Sequence, residues 1–152
     1  MKDIIPSGSE LDILWFCLPK ILIATICGSI IGYDRERKNK AAGLRTNILI
    51  CVGSCLFAIT SILLSQISNS DPTRILSTIV TGIGFLGGGV IMKSDDKIVG
   101  ITTAAFIWVV SAIGILCAMG ATISPIILTI GLLLVSKIFE RVEKYIHKNN
   151  DR

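Results

Sequence analysis

The sequence predicts an all-α, polytopic helical membrane protein, and three observations carry that prediction. The chain is 51% hydrophobic and only 17% charged, whereas soluble domains typically carry about 25% charged residues. The charges are clustered, which leaves uncharged runs of 25, 18 and 39 residues at positions 46–70, 75–92 and 98–136. Because a helix needs about 20 apolar residues to cross the hydrocarbon core of a bilayer, these runs predict several membrane-spanning helices.

Five transmembrane helices are expected, at 13–33, 44–66, 72–93, 98–119 and 125–139. Asp71-Pro72 and Ser124-Pro125 each place a capping residue before a proline, which suits the first position of a helix. Gly120 is expected to end the fourth helix. Residues 1–12 then form an extracytoplasmic segment and residues 140–152 an amphipathic cytoplasmic tail, which continues the fifth helix along the interface or offers a docking helix.

The distribution of Lys and Arg predicts the orientation. Twelve lie in the first loop, the third loop and the tail, and three lie on the opposite side. The positive-inside rule then places the N-terminus outside and the C-terminus in the cytoplasm. Lys20 falls inside the first expected helix. It is expected either to snorkel outward or to precede the true span, with a functional buried charge less favoured.

The stretch TGIGFLGGG at 81–89 has the G-x-G-x-x-G spacing of a dinucleotide-binding turn, but its context excludes that site. Such a site needs a preceding strand and an acid about 20 residues later, and position 102 is a threonine. Within a bilayer, small residues let helices approach closely. We therefore expect helix or protomer contact faces, and the alternative is that the glycines at 87–89 loosen the helix and line a cavity. The proposed packing positions are Gly28, Gly32, Gly82, Gly84, Gly87 and Gly88.

Polar residues near the helix ends are the candidate functional residues. In the first loop, acidic and basic residues alternate at a membrane boundary, where an ion-pair network would fix the ends of the first two helices. Weak candidates for binding a cation are Asp34, Glu36, Asp95 and Asp96. The proposed functional polar set is Asp34, Arg35, Glu36, Arg45, Asp71, Arg74, Thr102 and Thr103.

Some activities are disfavoured by what the sequence lacks. No Asp or Glu lies inside an expected span, although coupled transporters commonly use buried carboxylates. His147 is the only histidine, so neither a catalytic triad nor a histidine metal site is expected. Cys51 and Cys55 lie one helical turn apart, but no His or Met supports a soft-metal site there. We expect no enzyme activity, no cofactor and no nucleic-acid partner.

Four motifs in order resemble the MgtC/SapB family of bacterial membrane proteins. They are IIGYDRERKNKAAGLRT (30–46), DPTRI (71–75), GIGFLGGGVI (82–91) and GITTAAFIW (100–108). The resemblance implies a multi-pass protein of the bacterial plasma membrane that is associated with Mg²⁺ limitation and with acid or stress adaptation. Members of the family are thought to regulate membrane partners, including the proton-translocating ATP synthase, rather than to carry Mg²⁺.

The chain departs from the family pattern at Asp34, where Glu is frequent, and at Thr78, where Gln is frequent. It also stops at Arg152, so the soluble C-terminal domain of virulence-type members is expected to be absent. The function expected from the sequence is regulation of membrane partners by a homo-oligomer, and the alternative is a transporter or channel for Mg²⁺ or another small solute.

Overall fold

Five helices and one short hairpin make up the protein in the computed structural model, which describes residues 9–68, 71, 73–94 and 97–150. The helices are α1 (Glu10–Arg37), α2 (Leu44–Ser68), α3 (Thr73–Gly89), α4 (Ile101–Ala118) and α5 (Ile123–Asn150). Strands β1 (Met92–Ser94) and β2 (Lys97–Val99) pair antiparallel between α3 and α4. The helical class and the number of helices expected from the sequence are thus confirmed.

The hairpin corrects the expected third and fourth spans, because Met92 and Lys93 lie in β1 and Ile98 lies in β2. Helix α3 ends after three consecutive glycines, which give a helix little stability. As a result α3 has 17 residues. Four of the five helices, α1, α2, α4 and α5, are long and apolar enough to cross a membrane.

Glycines in the left-handed region stand at both ends of α4. Gly100 has φ 95° and Gly120 has φ 83°, a conformation that costs other residues about 1–2 kcal/mol. A Cβ at Gly100 would also collide with the carbonyl oxygen of Val90. Gly100 therefore lets the hairpin fold back against the end of α3, and Gly120 ends α4 as the sequence predicts.

Helices α1, α2 and α4 form the core, and they approach closely at glycines. A Cβ at Gly28 would lie 2.9 Å from the backbone of α2 at Ile48, and one at Gly32 would lie 2.8 Å from the Cα of Leu44. Where α4 passes α2, a Cβ at Gly114 would collide with the carbonyl oxygen of Cys51. These contacts leave no room for side chains and bring the backbones together, as is typical of membrane helices.

The core is apolar apart from a few polar contacts. Four of the five cysteines, at positions 27, 51, 55 and 117, are fully buried as free thiols in this core. Ser54 of α2 and Ser111 of α4 share a buried hydrogen bond of 2.7 Å. Such a bond satisfies both hydroxyls where water is excluded.

Helix α5 packs at the edge, against α1 and α4. It begins at Ile123, two residues before the expected start at Pro125, and so places Pro125 at its third position. Proline is still tolerated there, because amides in the first turn of a helix have no intrahelical partner. The helix continues without a break through residues 140–150, so the expected tail is part of α5.

Candidate functional site

The ends of α1 and α2 meet at a group of charged side chains that we call the helix-end cluster. It comprises residues in the last turn of α1 and just after it, with their contacts on α4 and α5: Asp34, Arg35, Glu36, Lys38, Thr103 and Glu140. The chain reverses between α1 and α2 through Asn39, which has φ 50°, a conformation that asparagine tolerates better than most residues. The reversal brings the last turn of α1 beside the first turn of α2.

Glu36 caps the second helix. Its Oε2 atom accepts a hydrogen bond of 2.8 Å from the backbone amide of Leu44, the first residue of α2. A carboxylate at a helix N-terminus satisfies an otherwise unpaired amide and interacts favourably with the helix dipole. Any Cβ at Gly43 would collide with this carboxylate, so the glycine leaves the space in which Glu36 reaches the helix.

Lys38 links α1 to α5. Its Nζ atom lies 2.9 Å from Oδ2 of Asp34 and 3.0 Å from Oε1 of Glu140. Burial disfavours the ammonium ion, but the hydrogen bonds to Asp34 and Glu140 outweigh burial and raise the pKa of Lys38. Lys38 therefore carries its charge at neutral pH and bridges two carboxylates on different helices.

Arg35 lies beneath this surface, with only 1% of the residue exposed. One terminal nitrogen donates a 3.3 Å hydrogen bond to the hydroxyl of Thr103 on α4. The guanidinium carbon lies 4.2 Å from the centre of the Phe106 ring, a distance at which a cation is attracted to an aromatic face. Among the residues that the structure describes, no carboxylate forms an ion pair with Arg35, and its Nε atom has no hydrogen-bond partner.

The side chain of Asn47 is buried where α2 passes α1. Its amide nitrogen donates to the carbonyl oxygens of Ala42 (2.9 Å) and Gly43 (2.7 Å), which lie before the helix begins. Asn47 and Glu36 therefore hold the same loop from two sides. The contacts of the helix-end cluster tie α1 to α2, α4 and α5 at one end of the molecule.

The polar residues proposed from the sequence are divided by the structure into three groups. Asp34, Arg35, Glu36 and Thr103 belong to the helix-end cluster, whereas Arg45 and Thr102 are exposed nearby on α2 and α4. Asp71 and Arg74 lie at the start of α3, at the end of α2 farther from the cluster. The carboxylate of Asp71 accepts 2.8 Å hydrogen bonds from the amide and the hydroxyl of Thr73, and these bonds hold the pKa of Asp71 below its ordinary value.

The four weak candidates for binding a cation do not come together in the part of the chain that the structure describes. Asp34 pairs with Lys38 and Glu36 caps α2. Asp95 and Asp96 lie outside the described residues. No group of three or more His, Cys, Asp or Glu residues suited to a metal ion occurs among the described positions.

The proposed packing glycines also divide. Gly28 and Gly32 lie against α2, and a Cβ at Gly87 would lie 3.6–3.8 Å from Ala104 of α4. A Cβ at Gly82, Gly84 or Gly88 would have nothing within 4 Å. A role for these three glycines in packing within one chain is therefore wrong. Their role in contacts between protomers stays a prediction.

Lys20 is buried, and its ammonium group reaches back towards the start of α1. Only 8% of the residue is exposed, and its Nζ atom lies 2.9 Å from the centre of the Phe16 ring, one turn earlier in α1. Its Cε atom lies 3.9 Å from the position that a Cβ would take at Gly120. Lys20 is thus level with the turn between α4 and α5, and its ammonium ion is covered by protein.

Three residues that contribute contacts at this end of the molecule, Lys38, Glu140 and Phe106, were not identified as functional from the sequence. The pairing of Asp34 with Lys38 has the i, i+4 spacing of helical ion pairs and could have been found. Glu140 has the same spacing relative to Lys144, but in the structure it pairs with Lys38. The contacts of Glu140 and Phe106 depend on helix packing, for which no local spacing gives a signal.

The comparisons with known proteins point in one direction. The model of the MgtC family matches residues 21–145. Protein MgtC of Brucella abortus is 39% identical over 115 residues, which cover 76% of this chain and 48% of the relative. The protein named "Putative magnesium transporter YhiD" of Escherichia coli K12 is 41% identical over 133 residues, which cover 84% and 61%.

An uncharacterized protein of Haemophilus influenzae is 37% identical over 141 residues, which cover 88% of this chain and 59% of the relative. The chain thus spans about half to three-fifths of the length of these curated relatives. No solved structure matches the chain.

Proposed function

Because this chain belongs to the MgtC family, a family of multi-pass membrane proteins, we propose that it regulates a protein partner in the bacterial plasma membrane under Mg²⁺ limitation or acid stress. The observation that carries the proposal is the engagement of the helix-end carboxylates. Asp34 and Glu140 hold Lys38, and Glu36 holds the first amide of α2. These groups fasten helices together, whereas a cation path needs oxygen ligands that a passing ion can reach.

The surface of the cluster suits a partner. Exposed basic side chains lie beside the cluster in the chain, among them Arg37, Lys40 and Arg45. Rigidly held helix ends that present exposed charges give a partner a defined surface and favour electrostatic recognition. From the resemblance, the proton-translocating ATP synthase is the first partner to test.

A crosslinking experiment tests this proposal. A photoreactive amino acid placed at position 45 should capture a specific membrane protein in native bacterial membranes. The same residue at position 74, an exposed arginine at the start of α3, is the matched control and should not capture that protein. Capture of the same proteins from both positions would contradict a partner site at the helix-end cluster.

Transport of Mg²⁺ is the second candidate, because one relative carries the name of a magnesium transporter. Protein reconstituted in liposomes with a Mg²⁺-sensitive dye inside separates the two functions. We expect no saturable influx. Saturable influx that Asp34→Asn or Glu36→Gln abolishes, while Glu143→Gln on the exposed face of α5 leaves it intact, would overturn the regulatory proposal.

A further inference from the structure

The connection from α1 to α2 is a tight turn with a defined start. The backbone amide of Lys40 donates to the carbonyl oxygen of Arg35 at 3.1 Å, and that of Asn39 donates to the carbonyl oxygen of Glu36 at 3.0 Å. These two bonds around a residue with positive φ form the Schellman motif, which fixes the direction in which a chain leaves a helix. We call residues 37–45 the basic turn.

Side chains hold the basic turn on its other side. The carboxylate of Glu36 accepts a 2.8 Å hydrogen bond from the amide of Leu44. The amide group of Asn47 donates to the carbonyl oxygens of Ala42 at 2.9 Å and Gly43 at 2.7 Å. Asn47 is only 1% exposed, so water hardly competes for these two bonds. The turn is therefore fixed in shape before any ligand arrives.

The basic turn presents charges that the chain itself does not neutralise. Three of its basic side chains are exposed: Arg37, Lys40 and Arg45. The nearby carboxylates are already engaged, because Asp34 pairs with Lys38 and Glu36 caps α2. Within the described part of the chain, no carboxylate forms an ion pair with any of the three exposed cations. These cations are therefore free to pair with carboxylates of another molecule.

A fixed turn favours a protein ligand over the membrane surface. Anionic headgroups are attracted by the number of basic residues near the membrane, and they diffuse freely, so they gain little from a fixed backbone. A peptide segment that pairs with several cations at once binds more tightly when those cations are already held in place, because less freedom is lost on binding. Complementary charge then also gives specificity. The hydrogen bonds of Asn47 and Glu36 favour this second kind of ligand.

We propose that the basic turn binds an acidic segment of a protein partner, whose carboxylates pair with Arg37, Lys40 and Arg45. Asn47 and Glu36 are positioning residues, which hold the turn in its binding shape through their hydrogen bonds. The assignment of this site rests on the proposed regulatory function, for which it supplies the chemistry of the partner.

Binding of a model acidic peptide tests the proposal. The purified full chain is placed in nanodiscs of phosphatidylcholine, which has no net charge and so does not compete for the cations. The probe is a short fluorescein-labelled peptide in which glutamate alternates with glycine, and the control peptide has glutamine in place of glutamate. Fluorescence anisotropy should show saturable binding of the glutamate peptide only, and salt should weaken it because exposed charges are screened.

Lys40→Gln removes one of the proposed ion pairs. It should raise the Kd of the glutamate peptide up to about fivefold, the upper range for one exposed ion pair. Lys144→Gln is the matched control, because it removes the same charge from an exposed position on α5, and it should leave the Kd unchanged.

Two variants of Glu36 separate the shape of the turn from its charge. Glu36→Ala and Glu36→Gln remove the same negative charge, but only glutamine keeps a side-chain oxygen that accepts a hydrogen bond from the Leu44 amide. If net charge alone governed binding, both variants would bind the glutamate peptide more tightly and equally. With a positioned turn, Glu36→Gln should bind at least as tightly as the unaltered chain, and Glu36→Ala should bind about threefold more weakly than Glu36→Gln.

Asn47→Leu loosens the turn without any change of charge. It removes both side-chain hydrogen bonds to the turn and should weaken peptide binding about threefold. Ser54→Ala is the matched control, because it removes a buried hydrogen bond elsewhere on α2 and leaves the turn intact. Thermal unfolding identifies any variant that misfolds. Asn47 and Glu36 act through different bonds, so the loss of one variant leaves the other informative.

Equal binding of the glutamate and glutamine peptides, or binding of neither, would overturn the proposal. Unchanged binding in Asn47→Leu, together with equal binding in Glu36→Ala and Glu36→Gln, would also overturn it and would assign the cations to net-charge attraction, such as that of anionic headgroups. The proposed function fails separately. If position 45 captures no specific protein in native membranes while these variants behave as expected, the acidic-segment site stands and the regulatory function does not.

Discussion

Arg35 is the residue whose environment is most demanding. A buried guanidinium is costly unless its hydrogen bonds and charge are compensated. Arg35 finds compensation in the hydroxyl of Thr103 and the ring of Phe106 rather than in a carboxylate of the described chain. The contact joins the last turn of α1 to the first turn of α4, so Arg35 is a polar link between the two helices.

Replacing Thr103 with valine tests this link, because it removes the hydroxyl and keeps the shape of the side chain. We expect Thr103→Val to lower the free energy of unfolding by about 1.5–3 kcal/mol, the range for hydrogen bonds to charged groups. Thr102→Val is the matched control on the exposed neighbouring residue and should stay within about 0.5 kcal/mol. Thermal unfolding in detergent measures both, and equal effects of the two variants would refute the role of the hydroxyl.

Gly32 is a second residue whose absence of a side chain is structural. A Cβ there would lie 2.8 Å from the Cα of Leu44, and backbone cannot move away as a flexible side chain can. We expect Gly32→Ala to destabilise the protein by about 1–3 kcal/mol, as overpacking typically does. The comparison is Gly131→Ala, which has open space and should be neutral or up to about 1 kcal/mol stabilising. If Gly32→Ala left the stability unchanged in the same thermal assay, α1 and α2 would be shown to move apart at little cost.

At the scale of elements, α5 is the least embedded helix, and Lys38 is the polar link that holds its far half to α1. Lys38→Met should loosen the segment around Glu140 and speed its hydrogen exchange up to about fivefold. This corresponds to about 1 kcal/mol or less, because Glu140 is 38% exposed and solvent screens the pair. Lys40→Met, an exposed neighbour, is the control. Unchanged exchange in Lys38→Met would mean that apolar packing alone holds α5.

The pH dependence of this link follows from the raised pKa of Lys38. A folded-state pKa above the ordinary value of 10.5 means that the stabilisation is fully present below that value. It is lost as the pH rises through the folded pKa. Loss of the Lys38 charge should therefore leave α5 docked at neutral pH and loosen it only above about pH 10.5 in the unaltered chain. Lys38→Met should lack that alkaline transition.

The connection between α3 and α4 shows why some elements were harder to predict than others. The long uncharged run at 75–92 indicated a helix through residue 93. The glycines before Val90 instead end α3 early, and the residues that follow form a hairpin. Strand pairing depends on the backbone of a partner segment and not on the hydropathy of either. Gly100, which permits the return, offered no signal beyond being a glycine.

At the scale of the whole molecule, α3 leaves one face uncovered. Gly84 and Gly88 have nothing within 4 Å, and Phe85 between them is 82% exposed. If this face joins copies of the chain, Gly84→Leu should reduce the oligomer size, measured by light scattering in detergent. Gly131→Leu should leave the size unchanged. An unchanged oligomer size and thermal stability in Gly84→Leu would refute the contact.

The orientation in the membrane is also a property of the whole chain. Twelve basic residues on one side against three on the other predict an external N-terminus and a cytoplasmic C-terminus. Reporter fusions should show alkaline phosphatase activity at the N-terminal side and green fluorescence at the C-terminal side. The reverse pattern would show that the positive-inside rule fails for this chain.

Hydropathy and motif order determined, from the sequence alone, that the chain is a helical membrane protein of the MgtC family. Both properties can be read from short stretches of sequence. A bilayer imposes a length and an apolar character on every span, and each family motif is a continuous segment of the chain. The sequence also marked Arg35 and Thr103, which stand 68 positions apart, but not that they touch. Only the tertiary structure decided which residues meet across helices, such as Lys38 with Glu140 and Arg35 with Phe106. Those relations depend on how helices pack in three dimensions, which periodicity along a single helix does not encode.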